Sequence, residues 1–263
     1  MASLVVLLIL ALLSTIGSVL WVHPVDAIYR DRVALAPTLA HAHWFGTDAL
    51  GRDMVARVLF GLRISLMVGV VATFVSVVIG VTWGAIAGYV GGFVDEAMMR
   101  IVDVIYTIPY IFFVIILMVV FGRNIWLIFL AIGAVEWLTM ARIVRGQTLS
   151  LKEREFVEAA RAAGLSRRQI IFRHIVPNLL GPVVVYVTLT IPGVIMAESF
   201  LSFLGLGVQP PIASLGSLIS AGAAYMERAP WLLIFPSLAM VATLMSLNFI
   251  GDGLRDALDP KDR

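Results

Sequence analysis

Apolar residues run in long blocks along this chain instead of alternating with polar ones. Six blocks are long enough to cross a hydrocarbon core of about 30 Å, which takes roughly 20 residues of helix. They are Leu4–Val22, Ser65–Tyr89, Ile101–Phe121, Ile125–Val144, Leu179–Phe200 and Trp231–Ile250. The pattern predicts an all-α membrane protein with about six transmembrane helices. The first block lacks a basic n-region and a convincing cleavage site, so a retained helix is expected and not a signal peptide.

Composition supports the same class. The 263 residues are 60% hydrophobic and 14% charged, with a mean hydropathy of +0.99, whereas soluble domains carry about 25% charge. A net charge of +2 gives no signal for nucleic acid. The absence of Cys excludes disulfides, thiolate metal sites and a cysteine nucleophile. His41 and His43 form a His-x-His pair beside Trp44; with no further ligands clustered nearby, the pair reads as a polar loop and not a metal site. No catalytic, metal or cofactor residue is expected.

Basic residues set the orientation. With both termini cytoplasmic, the inner segments carry 12 Lys and Arg and the outer segments 7, the latter including Arg123 and the former Lys261 and Arg263. Most of the inner excess lies between Arg142 and Arg173. The chain is expected to divide into residues 1–64 (first helix, outer loop and an interfacial helix) and residues 65–263 (five spans with a cytoplasmic loop at about 145–178).

Ala72, Ser76, Gly80, Gly84 and Gly88 recur every four residues along the second span. Small residues at this spacing let helix backbones approach closely in lipid, so this helix is expected to pack tightly inside the subunit. Pro109, Pro182, Pro192 and Pro236 are expected to kink or start helices. Glu136 in the fourth span and Glu198 near the end of the fifth are intramembrane carboxylates, which allow either an ion-coupling relay or a structural or interfacial role. Without a basic partner at nearby depth, the relay is the weaker reading.

In the first outer loop, Gly46, Asp48, Gly51, Arg52 and Asp53 belong to GTDALGRD. The glycines permit tight turns that the aspartates can cap. Met54, Val55, Val58, Leu59 and Leu62 follow on one helical face, with Arg52, Arg57 and Arg63 away from it. This segment reads as a structural elbow or as a helix in the interface plane. The last outer loop, Ser202 to Pro230, is Gly- and Pro-rich with Pro210-Pro211 as a rigid break, and it has room for a short helix dipping back from Ser214 to Met226.

The cytoplasmic insertion is the most ordered polar stretch. Ser150 with Glu153, and Ser166 with Gln169, each match a capping box. Gly164 between them fits a left-handed helix stop. Phe156, Ala159, Ala160 and Ala163 give a small apolar side, and Glu153, Arg154, Glu155, Glu158 and Arg161 a charged one. A DNA-binding helix-turn-helix has this outline, but here it is fused to two membrane spans with modest charge. A passive loop needs less order. A docking element for a cytoplasmic partner fits best.

EAARAAG (Glu158–Gly164) followed by HIVP resembles the EAA loop of permease subunits of bacterial ATP-binding-cassette importers. Glu158, Ala159, Ala160, Gly164 and Pro177 match the pattern, while His174 and Val176 replace its usual Ile and Leu. RHIVPN (Arg173–Asn178), GTDALGRD, GYVGGFVDEAMMRIVD (Gly88–Asp103) and ESFLSFLGLGVQPP (Glu198–Pro211) are similar to the second, "C-type", permease of the dipeptide, oligopeptide and nickel systems. That resemblance runs from about Trp44 to the C-terminus. A longer cytoplasmic lead is usual in that family, so a shortened start is an expectation here.

The resemblance implies a type I importer permease fold in the bacterial cytoplasmic (inner) membrane. It implies a heterodimer with a homologous sister permease, two cytoplasmic ATPase subunits, an extracytoplasmic solute-binding protein and membrane lipid as partners. Gly-x-x-x-x-Gly-Lys-Ser/Thr is absent, so ATP and Mg are expected in the ATPase subunits and this chain is expected not to be an enzyme. Glu158, Ala159, Ala160, Arg161, Gly164 and Leu165 are the expected ATPase-docking residues. Thr188, Met196, Glu198 and Ser199 are candidates for the translocation path of peptides or related solutes. The alternative is a stand-alone ion-coupled secondary transporter using Glu136 and Glu198.

Overall fold

The computed structural model describes residues 1–122 and 125–258; Arg123, Lys261 and Arg263, used above for orientation, lie outside the described residues. Among the described residues every regular element is helical. The helices are α1 (Ala2–Leu20, with a π turn at Leu13–Gly17), α2 (Met54–Val90), α3 (Gly92–Tyr106), α4 (Tyr110–Phe121) and α5 (Ile125–Leu151). The rest are α6 (Glu155–Ala162), α7 (Arg167–Ile170), α8 (Leu180–Phe203), α9 (Leu215–Ala223) and α10 (Trp231–Leu258), with a 3-10 turn at Ala40–Ala42 in the outer loop. A π turn (Ile171–Ile175) and a short turn (Val176–Asn178) carry the chain from α7 into α8. Among the described residues, α1, α2, α8 and α10 are each long and apolar enough to cross a membrane, and the bent α3–α4 pair makes a possible fifth span. The predicted fourth span lies within α5.

Two expectations change. The second helix starts at Met54 and not at Ser65, and its 37 residues make a rod of roughly 55 Å at 1.5 Å per residue. The segment read as an interfacial helix or elbow is the outer end of this rod. Met54, Val58 and Leu62 are buried with Leu215, Leu218 and Leu232, and Gly61 lies against the start of α9. The helix therefore passes unbroken through residues 64 and 65, where the sequence suggested a division. The expected third span is broken. α3 and α4 meet at 84°, because Pro109 supplies no N–H and pushes Ile108 away from helix geometry. α4 by itself is roughly 18 Å long, shorter than the hydrocarbon core.

α2 and α5 run parallel in close contact, and the small-residue stripe is the reason. A Cβ on Gly80 would lie 2.6 Å from Met140 Cβ, and one on Gly88 2.8 Å from Thr148 Cβ. Gly133 of α5 answers with a similar approach to the Ala72 carbonyl. α3 is fastened to α5 by charge: Arg145 donates from Nε and an Nη to the two Asp95 oxygens at 2.5 and 2.6 Å, and Arg142 donates to Asp103 at 2.8 Å. α9 is the short helix expected in the last outer loop. Its Ser214 cap accepts from the Ser217 N–H, and its Gly216 and Gly222 faces lie against α8 and α10.

Candidate functional site

At the inner end, α6 is held against the membrane helices by one face only. Val157 and Ala160 are buried with Ala85, Tyr89, Met140, Val144, Ile170 and Ile175. The opposite face is open, with Phe156, Glu158, Ala159 and Ala163 all exposed. Ala160 was expected on the outward docking face; it is 6% exposed and points into the core, because Val157 and Ala160, three apart, share the inner face. Arg161 is exposed but reaches back over the Tyr89 ring at 5.3 Å, and Leu165 is half-buried.

The turn after α6 is built as the sequence predicts. Gly164 has φ +77°; the Leu165 N–H donates to the Ala160 carbonyl at 3.2 Å and the Gly164 N–H to Arg161 at 2.9 Å, a Schellman-type stop. Ser166 and Gln169 form a reciprocal capping box at the start of α7. The Ser150 box does not form. α5 continues to Leu151, since its buried face against Gly84 and Gly88 outweighs the local cap, and α6 begins at Glu155, with Arg154 as an N-cap that makes no side-chain cap bond. The result is an exposed helical corner whose inner face shares one apolar cluster with residues of α2, α5 and α8.

At the outer end, Asp53 caps α2 by accepting from the Ala56 N–H at 2.8 Å. It also accepts from Trp21 Nε1 and from His43 Nδ1, both at 2.8 Å. Asp48 accepts from the Leu50 and Arg52 N–H groups and from Arg52 Nε, so both aspartates cap as expected. Gly46 and Gly51 have positive φ, and a side chain on Gly51 would strike the Tyr29 carbonyl. Sequence reading missed His23, whose Nε2 donates to the His41 carbonyl at 2.8 Å and whose Nδ1 accepts from the Tyr29 hydroxyl at 2.9 Å. Its partners lie 6 and 18 residues away in an irregular loop, where no periodic pattern marks it.

His23, His43 and Asp53 bring possible ligand atoms within 4.8 Å of one another. Metal binding needs N and O donors converging at about 2.0–2.2 Å. Here the imidazoles stack with planes 19° apart, so their in-plane lone pairs run nearly parallel, and Arg32 places a cation 3.3 Å from His43 Nε2. The cluster is a hydrogen-bonded knot tying α1, the outer loop and α2. Replacing Asp53 with Ala is expected to cost about 2–4 kcal/mol, from the lost cap and the orphaned donors. A thermal melt in detergent is expected to fall by about 5 °C or more.

The path candidates do not share one surface. Met196 is exposed. Thr188 donates to the Val185 carbonyl and lies beside Gly251 of α10. Ser199 sits under α9 and 3.9 Å from the Met240 sulfur. Glu198 is fully buried at the α8–α9 corner, where Oε1 accepts from the Ser202 and Ser214 hydroxyls at 2.7 Å each. Glu136 lies in a separate cavity between α5 and the α3–α4 break. Among the described residues Glu136 and Glu198 share no hydrogen bond, and Glu198 does not line the cavity that holds Glu136, so nothing in this geometry supports an ion-coupling relay between them.

Residues 80–263 match the family of binding-protein-dependent transport system inner membrane components. The chain is 57% identical over 262 residues to the oligopeptide transport system permease protein OppC of Escherichia coli K12, covering all of this chain and 87% of that one. It is 55% identical over 266 residues to OppC of Haemophilus influenzae (100% and 84% covered). Identity to the dipeptide transport system permease protein DppC of Bacillus subtilis is 45% over 264 residues (100% and 82% covered). A chain of the inward-facing MetNI methionine ABC transporter has the same fold, with a TM-score of 0.60 at 22% identity over 78% of this chain and 98% of that one.

Proposed function

The chain belongs to the family of binding-protein-dependent transport system inner membrane components, and we propose that it forms half of the translocation path of an ATP-driven peptide importer. The observation that carries this reading is the exposed corner at Glu158–Gly164, fixed to the inner ends of three long helices. Two cytoplasmic ATPase subunits would bind ATP and Mg, one of them receiving this corner in a surface cleft. A homologous sister permease completes the path, and an extracytoplasmic solute-binding protein delivers peptide at the outer face of the bacterial inner membrane. Glu158, Ala159, Gly164 and the exposed Phe156 and Ala163 make the docking contact; Val157 and Ala160 anchor the helix from behind.

The mechanism follows from stiffness. Close-packed interiors transmit strain, and Val157 and Ala160 of α6 are buried in one cluster with Tyr89 of α2 and Val144 of α5. Closure of the ATPase pair displaces α6, and α2, α5 and α8 tilt with it as a rigid body. The Asp95–Arg145 and Asp103–Arg142 pairs make α3 follow α5. Exposed apolar side chains such as Val70, Phe74, Met196 and Phe200 give lipid and the sister permease a surface to cover.

Reconstitution tests this directly. The complex of this chain with its sister permease, ATPases and binding protein is expected to take up labelled trialanine into vesicles only with ATP. The chain alone is expected to take up none under a proton or sodium gradient. Gradient-driven uptake by the chain alone, or failure to co-purify with ATPase subunits, would overturn the reading.

A further inference from the structure

The cavity beside the α3–α4 break contains chemistry that coupling does not use. It has a volume of about 270 Å³, and its lining includes Tyr106, Pro109, Tyr110, Glu136 and Thr139. Glu136 makes no hydrogen bond or ion pair with any described residue. The Tyr110 hydroxyl is buried and also has no partner. Arg142, six residues further along α5, is already committed: it donates to Asp103 at 2.8 Å and lies over the Tyr106 ring at 4.3 Å. Glu136 is half-buried and lines the open cavity without a basic side chain in that lining, so a cation entering the cavity would meet an unpaired carboxylate at a partly desolvated position.

The surroundings select the kind of cation. α3 ends at Tyr106, so the negative end of its dipole lies beside the cavity. Tyrosine rings next to a carboxylate favour an organic ammonium, which gains from both the charge and the aromatic faces. A hard metal ion would need several oxygen ligands, and this lining offers one carboxylate. We propose that the Glu136 cavity is a subsite for a primary ammonium group, occupied by the N-terminal amine of peptide cargo during passage. The volume admits a terminal residue and not a whole peptide, so one fixed feature of every peptide is read while its side chains are left unread. The proposal rests on the peptide reading given above.

Zero-length cross-linking separates the two. The complete complex, turning over in phosphatidylcholine vesicles, is treated with a membrane-permeant carbodiimide and trialanine or N-acetyl-trialanine. The reagent activates a carboxyl as an O-acylisourea, an adjacent amine displaces the urea, and an amide remains for mass spectrometry. Trialanine is expected on Glu136 at least tenfold above the acetylated peptide. A Glu136→Gln complex is expected to show no adduct at that position and several-fold slower trialanine uptake. Absence of the adduct, while an untreated portion of the same vesicles takes up trialanine, overturns the subsite and leaves peptide import standing. Failure of wild-type uptake overturns both. Ethanolamine headgroups have the same ammonium chemistry; in vesicles containing phosphatidylethanolamine, a lipid adduct on Glu136 that trialanine does not displace overturns the cargo assignment.

Discussion

A Gly164→Pro permease is expected to reach the membrane in amounts within about twofold of wild type and to lose at least nine-tenths of its ATP-driven uptake. Gly164 sits at φ +77°, and proline fixes φ near −65° and has no N–H. The corner would lose its bond to the Arg161 carbonyl, and the Leu165 bond to Ala160 would be displaced with it. Nothing lies within 4 Å of a Cβ at Gly164, so the damage stays local, at about 1–3 kcal/mol for a distorted backbone. Val157 and Ala160 keep their buried contacts, and insertion is unaffected. Glu158→Lys complements this variant. Glu158 is exposed and forms no side-chain hydrogen bond or ion pair among the described residues, so charge reversal alters only what a partner meets. Both variants are expected to lose binding-protein-stimulated ATP hydrolysis together with uptake. Normal uptake by both would remove the docking role from this corner.

The bilayer makes much of this fold readable. Lipid leaves apolar blocks no choice but helix, so the helices appear in the sequence at nearly their observed places. The breaks are harder to read. Hydropathy counts Ile101–Phe121 as one span because it contains no geometry, although Pro109 marks the 84° turn. Ser150 shows the opposite failure: it has the right neighbours for a cap, yet the close packing of α5 on α2 carries the helix past it. Local chemistry prevails at Ser166, where no such packing competes.

The corner proposed for docking was legible in outline and ambiguous in detail. Gly164 and the Ser166 cap depend on neighbours within five residues and were placed correctly. Which alanines face outward depends on what lies behind the helix, and Ala159 and Ala160 look alike in sequence. Val157 was the available signal, since it is the one large aliphatic residue between Phe156 and Leu165 and must define the buried side. The outer knot shows a stronger limit. Asp53 was identified as a cap, but its bonds to Trp21 and His43 span 32 and 10 residues, and no local pattern encodes them. Glu198 lies between these cases, with Ser202 one helical turn away and Ser214 brought in only by the return of α9.

The second large effect is expected at the α2–α5 contact. Gly84→Leu is expected to reduce detergent-stable, monodisperse permease to below about one-tenth of wild type. A Cβ there meets the Ala141 carbonyl, the Arg145 nitrogen at 2.9 Å and Val144 Cβ at 2.9 Å. Two of these are backbone atoms of a helix, which cannot rotate aside as a side chain does. Added core methylenes cost about 1–3 kcal/mol where neighbours can shift; here the helices must separate. Separation opens the contacts on both sides of Gly84, at Gly80 and Gly88, and weakens the alignment of Arg145 with Asp95. Gly146→Ala is the matched control, because a Cβ at Gly146 meets nothing within 4 Å and Ala favours helix by about 1 kcal/mol over Gly. It is expected to match or exceed wild-type yield. Size-exclusion profiles of both variants decide the point: equal losses would mean that glycine matters through backbone flexibility, whereas loss at Gly84 alone identifies close approach as what the stripe provides. The same contact carries the proposed rigid-body motion, so a milder Gly84→Ala variant that still folds is expected to impair uptake more than Gly146→Ala does.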